Sequence, residues 1–236
     1  MNTIILDILC EGQTEEKFAK EVLKPYFKDK NVIVKYRLLV TERKKSAKGG
    51  IISYQQAKGD LARWMKEVSS HNSETHYFTT MFDLYALPDD FPGYRQSQAI
   101  MDAYTRVEQI EEHFKNDIGA SNFIPYIQLH EFEALLFCDI GKLADDYPKC
   151  QKDIEELEKV LDKYQDNPEL IDNSPTTAPS KRIKKAIEGK KLYKYNKPKS
   201  GTKVAAAIGM DKLMDRCKHF KDWIGRIENM TNAAMQ

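Results

Sequence analysis

Apolar and polar positions along this chain alternate between the period of a strand and that of a helix. Thr3-Ile4-Ile5-Leu6-Asp7-Ile8-Leu9 is a short isoleucine-rich run that stops at Gly12 and predicts a buried central strand. Phe18, Val22, Leu23, Tyr26 and Phe27 then recur at helical spacing until Lys30-Asn31. Thr14 is placed to cap that helix, and Glu15 and Glu16 fall in its first turn, where the helix dipole favours anions. A second strand is predicted over Val32–Val40, a helix near 53–69, and a third strand over Thr75–Phe82, dense in β-branched and aromatic residues. After a turn-rich stretch from Leu87 to Tyr94 comes a helix near 96–116, with Ile100, Tyr104, Val107 and Phe114 on one face. Asn122–Leu129 reads as a fourth strand. Strands alternating with helices predict an α/β fold: a mostly parallel four-stranded sheet flanked by helices, because parallel neighbours need crossover connections.

The pattern changes past Cys138. Ile154, Leu157, Leu161 and Tyr164 mark one helix, and Phe220, Trp223, Ile224 and Ile227 mark the last. Leu192–Tyr195 is the one stretch there that suggests a short strand. The organisation expected is an α/β core over residues 1–138 and a helical, basic C-terminal subdomain over 139–236.

Charge sharpens that division. The net charge of +1 conceals seventeen Lys/Arg against twenty Asp/Glu up to Cys138, and twenty against sixteen beyond it. Ten basic residues and one acid, Glu188, lie between Lys181 and Lys203. A patch this localised, with Tyr193 and Tyr195 interleaved, suits a polyanion such as nucleic acid, with Lys181, Arg182, Lys184, Lys185, Lys190 and Lys191 as the candidate contacts. Its bland alternative is a solvated lysine surface. Thr177 is a plausible cap for a helix starting near Pro179, whose amide end could hold a phosphate. The basic loop Arg43–Gly50 lacks the G-x-x-x-x-G-K-[ST] pattern, which argues against an autonomous NTPase. No apolar run reaches a membrane span, and the N-terminal run lacks the basic flank of a signal peptide. Four scattered cysteines, Cys10, Cys138, Cys150 and Cys217, support neither a zinc site nor a disulfide framework and read as isolated thiols of a cytoplasmic protein.

The candidate chemistry lies in three acidic clusters where a predicted strand gives way to a loop or helix. They are Glu11-Gly12-Gln13-Thr14-Glu15, Asp83 within Met81-Phe82-Asp83-Leu84-Tyr85, and His130-Glu131-Phe132-Glu133. Carboxylates at the C-terminal ends of parallel strands converge on the crevice where open α/β sheets bind ligands. Like charges gathered there need a positive partner, and a hard divalent cation suits oxygen donors. Glu15 also reads as an ordinary first-turn acid. Glu131 and Glu133 share a face if extended and lie on nearly opposite sides if helical, in which case at most one of them is a ligand. Asp89 and Asp90, in a Pro-flanked loop, read as solvated.

These motifs resemble a known family. Strand-Glu11-Gly12-x-Thr14-Glu15-helix followed by strand-Asp83 is similar to the TOPRIM domain of primases, topoisomerases and overcoming-lysogenization-defect nucleases. A closer resemblance is to the bacterial family catalogued as domain of unknown function 4276. It is carried by Cys10–Glu15, Met81–Tyr85 with Pro88 and Asp90–Gly93, Gln128–Phe137, Pro168–Asp172, Ala178–Ile183, and Cys217-x-x-Phe220-x-x-Trp223. The resemblance implies a TOPRIM-like fold and divalent-metal phosphoryl chemistry, often in genes beside an ATPase in bacterial defence systems. The TOPRIM pattern has a second aspartate two residues after the first, and here that position is Tyr85. The missing ligand must then come from Glu15, Glu131, Glu133 or Asp89.

The resulting expectation is a Mg²⁺- or Mn²⁺-dependent nuclease. Glu11, Asp83, Glu15 and Glu133 are its catalytic candidates, with Glu131 a further metal ligand. The rival is a catalytically degenerate module that keeps this shape to bind nucleic acid or a partner ATPase. DNA against RNA, and monomer against homo-oligomer, stay open.

Overall fold

The computed structural model describes residues 3–39, 51, 53–69, 73–171, 174 and 176–235. Val40, the basic loop 43–50 and Asp172 lie outside the described residues.

Strands β1 (Thr3–Cys10), β2 (Val32–Leu38), β3 (Glu74–Asp83), β4 (Phe123–Ile124) and β5 (Ile127–Gln128) form one parallel sheet in the order β2-β1-β3-β4, with β5 also on β3. The expected fourth strand is thus two short pieces. Pro125 has no N–H to give the ladder, so pairing breaks there. Threonines of β3 cover the gap: the Thr79 hydroxyl donates to Ile124 O (2.6 Å), and the Thr80 hydroxyl both donates to Tyr126 O and accepts from Tyr126 N (3.0 Å each).

The first helical run is α1 (Gln13–Phe18), a π-turn (Ala19–Leu23) and α2 (Lys24–Lys28). Its cap is Gly12, with Thr14 buried two residues further in, so the capping role expected of Thr14 falls to a glycine. Helix α3 (Tyr54–Val68) is capped by Ser53, whose hydroxyl accepts from Gln56 N. The helix expected over 96–116 is instead a single turn, α4 (Tyr94–Ser97), and then α5 (Ala103–Ile118). Asp102 accepts from Thr105 N (2.8 Å) and restarts the helix, which leaves Ile100 in the break.

Handedness now fixes the layers. Right-handed crossovers that run in opposite directions across a sheet place their helices on opposite faces. The connection from β1 to β2 runs one way, and those from β2 to β3 and on to β4 run the other. Accordingly Phe18, Val22, Leu23 and Phe27 pack on the face bearing Ile4, Leu6 and Ile8. Leu61, Trp64, Val107 and Phe114 pack on the other face with Leu9, Phe78 and Phe82.

The 3-10 turn Phe132–Cys138 leads out of β5 into the C-terminal part, which contains α6 (Gln151–Glu158), α7 (Pro179–Glu188), α8 (Thr202–Ile208), α9 (Met210–Arg216) and α10 (Lys218–Met235). Leu192–Tyr195 forms no strand, and α7 is capped at Ala178 rather than Thr177. This part shares one core with β1 and α1. Trp223 stacks on Tyr126 (centroids 4.0 Å apart) and donates its indole N–H to Thr79 Oγ1 (2.8 Å). Burying a side chain of this size contributes on the order of 3 kcal/mol, so α10 is tied firmly to the split in the sheet. Cys138 and Cys217, distant in sequence, come to 3.3 Å (Sγ–Sγ) as free, buried thiols. Among the described residues, no helix is long and apolar enough to cross a membrane.

Candidate functional site

Strand order reverses between β1 and β3, which places the fold's switch point at their C-terminal ends. Glu11 follows the last residue of β1, and Asp83 is the last residue of β3. They are tied directly: Glu11 Oε2 accepts the Asp83 N–H at 2.8 Å. Asp83 Oδ1 in turn accepts the Phe132 N–H at 2.9 Å. That bond is available because His130 adopts a left-handed backbone (φ 61°), turning the chain after β5 back over the strand ends. The His130 carbonyl accepts from Tyr85 N at 2.9 Å, which completes the clasp.

Glu15 reconciles the two sequence readings. It stands three residues after the cap Gly12, where a glutamate folds back over its own helix start. A Cβ on Gly12 would meet Glu15 Oε2 at 3.1 Å, so glycine makes room for this carboxylate. Glu15 is also buried in the crevice. Desolvation first, then Asp83, raises its pKa to about 7, against the opposing pull of Lys197 and the backbone N–H groups of Glu15 and Gly12.

Glu131 and Glu133 separate cleanly. Glu131 accepts from the Ser180 backbone N–H and from its hydroxyl (3.0 Å), so it caps α7. The amide end proposed for a phosphate is thereby filled by the protein's own carboxylate. Glu133 is fully buried in the 3-10 turn, and its Oε1 has no hydrogen-bond partner. Burial, moderated by Lys197, raises its pKa to about 7. Glu11 is raised well above the ordinary carboxylate range, by burial first and then by Asp83 and Glu15.

One cation enters this group, and sequence reasoning did not single it out. Lys197 Nζ lies 2.9 Å from Glu133 Oε2, 3.3 Å from Asp83 Oδ2 and 4.0 Å from Glu15 Oε1. Burial pulls its pKa down, but Asp83, Glu133 and Glu15 together hold it well above the usual lysine value, so it stays charged. It is carried on a π-turn (Lys197–Gly201) whose first amides are capped by Asn196. No local signal marks it among the ten basic residues of 181–203, except that it precedes Pro198 and stands two residues after the buried Tyr195.

The other predicted residues are dispersed. Asp89 is exposed beside Arg95, and Asp90 caps α3 through Tyr54 N (3.1 Å), so neither reaches the crevice. Arg182 is used internally, donating to Thr177 O (2.5 Å) and Tyr164 Oη (3.3 Å). Lys190 pairs with Asp153 at 2.5 Å. Lys181, Lys184, Lys185 and Lys191 are exposed on α7 and just after it.

The donor set suits a hard cation: carboxylate oxygens, one of them buried and unpartnered, with a single ammonium against Glu11, Glu15, Asp83 and Glu133. Among the described residues, no three His, Cys, Asp or Glu side chains already converge as a cage for an ion. The Lys197 ammonium stands in the middle of the carboxylates instead.

Residues 10–228 match the family model described as Domain of unknown function (DUF4276). No curated protein and no solved structure matches the chain.

Proposed function

We propose that this chain, which belongs to the family described as Domain of unknown function (DUF4276), is a divalent-metal-dependent nuclease or a related phosphoryl-transfer enzyme. The observation that carries this reading is the buried excess of carboxylate at the switch point, with Glu133 Oε1 left without a partner. Glu11, Asp83 and Glu133 would hold Mg²⁺ or Mn²⁺. Glu133 then supplies the ligand that Tyr85 does not. When bound, the ion polarises a phosphoryl oxygen and lowers the pKa of a water it holds.

The chain's own groups do the rest. The Phe132 N–H fixes the Asp83 carboxylate, and the Asp83 N–H fixes Glu11. Glu15, with its pKa near 7, is matched to accept and return a proton at neutral pH. The Lys197 ammonium, beside Asp83 and Glu133, would supply positive charge to a phosphate oxygen brought to the crevice. Exposed Lys181, Lys184, Lys185 and Lys191 would be available to neutralise a nucleic-acid backbone. The TOPRIM likeness of the motifs supports the same chemistry, and with it a role as an effector beside an ATPase in bacterial defence.

The test is cleavage of DNA and RNA with Mg²⁺ or Mn²⁺ by wild type and Asp83→Asn. The variant keeps size but loses a charged ligand, and its rate should fall by at least about 100-fold. Equal cutting by both would overturn the assignment. A second reading, a module that binds nucleic acid or an ATPase without cutting, is favoured by Lys197 standing within the carboxylates. It predicts salt-sensitive binding with no divalent-dependent cleavage.

A further inference from the structure

We infer that Lys197 and a divalent cation compete for Asp83 and Glu133, so that a cation entering the crevice expels the ammonium toward its mouth. This rests on the metal reading above and adds how the site is held before it is loaded.

Three observations carry it. The ammonium lies 2.9 Å from Glu133 Oε2 and 3.3 Å from Asp83 Oδ2, so it neutralises two of the carboxylates an ion would use, with Glu15 Oε1 at 4.0 Å beside them. Mg²⁺ needs oxygens at about 2.0–2.1 Å. An ion so bound would lie within a few ångströms of Nζ, where two cations repel strongly in a site shielded from water. Second, Glu133 Oε1 is fully buried and unpartnered, a donor that the ammonium leaves unused. Third, the Lys197 side chain is 30% exposed, so it has a route outward.

The backbone that carries the lysine is fixed. Ser200 Oγ lies 2.7 Å from Tyr147 Oη, the Thr202 hydroxyl donates to Pro198 O at 2.6 Å, and Asn196 Oδ1 accepts from Lys199 N at 3.0 Å. Gly201 lets the turn close on Tyr195, whose hydroxyl a Cβ there would meet at 3.1 Å. The moving part is therefore the side chain, a compact charge on a flexible four-carbon stem. In the metal-free protein it keeps like charges together. Once displaced, it stands beside the ion, where a phosphate needs a counter-charge.

The experiment is titration of the full chain with Mn²⁺ at one fixed pH, reading free Mn²⁺ by its electron paramagnetic resonance, for wild type, Lys197→Met and Lys197→Arg. Thermal unfolding is followed with chelator and with Mn²⁺. Lys197→Met should bind Mn²⁺ at least 10-fold more tightly than wild type and more tightly than Lys197→Arg. Its unfolding midpoint should be lower in chelator and should rise further on adding Mn²⁺. Lys197→Gln serves in its place if the methionine variant does not fold. Mn²⁺ affinity in Lys197→Met equal to or weaker than wild type overturns the exchange and leaves the metal site standing. No Mn²⁺ bound by any of the proteins at millimolar concentration overturns the metal reading itself.

Discussion

Replacing Glu133 by glutamine should make the metal-free protein more stable at alkaline pH and leave it unchanged at acid pH. Glu133 is fully buried, and burial, only partly offset by Lys197, raises its pKa from 4.5 to about 7. The folded value lies above the unfolded one, so protonation favours the native state. This contribution is fully present below pH 4.5 and is lost as pH rises through about 7. The gap between the two values corresponds to about 3 kcal/mol. Glutamine imitates the neutral acid at every pH. Urea unfolding with chelator present should therefore give nearly coincident curves for wild type and Glu133→Gln at pH 4. At pH 8 the variant should be more stable by about 3 kcal/mol, a shift of roughly 1 M in midpoint. Glu15, raised to about 7 by burial and Asp83, contributes in the same direction, so wild type itself should gain stability as pH falls from 8 to 5. Midpoints that stay parallel over this range, or a variant weaker than wild type at pH 8, would refute the picture of Glu133 as a buried carboxylate that Lys197 only partly neutralises.

Two further outcomes test the surroundings of the site. Glu131→Ala removes the acceptor at the start of α7 and should cost about 1–2 kcal/mol in urea unfolding, without weakening Mn²⁺ binding more than about twofold; a large loss of Mn²⁺ affinity would return Glu131 to the ligand set. Reversing Lys184, Lys185 and Lys191 to glutamate should weaken nucleic-acid binding and flatten its dependence on salt, because these exposed cations release counterions, and an unchanged salt slope would remove them from the interface.

Burial on a regular period is written locally, and whatever depends on it was readable in the chain. The apolar runs over residues 3–9 and 32–40 and the aromatic-rich β3 predict the parallel sheet, and the strand-end positions of Glu11 and Asp83 bring them to one crevice. Once the strand order is given, handed crossovers fix which face each helix covers, a general constraint on the chain. Side chains that act across the fold carry no such period. Glu131 and Glu133 were indistinguishable as a pair, because the choice between them is made by where α7 begins, some fifty residues on. Pro125 was visible, but that two threonine hydroxyls would take over the missing ladder bonds depends on the register of β3 against it. Lys197 is the extreme case: it reaches Asp83 from 114 residues away, and nothing near it in sequence sets it apart from the lysines that stay in water. Only the packed turn between Tyr195 and α8 decides which of ten cations is carried inward, and so which charge stands among the carboxylates.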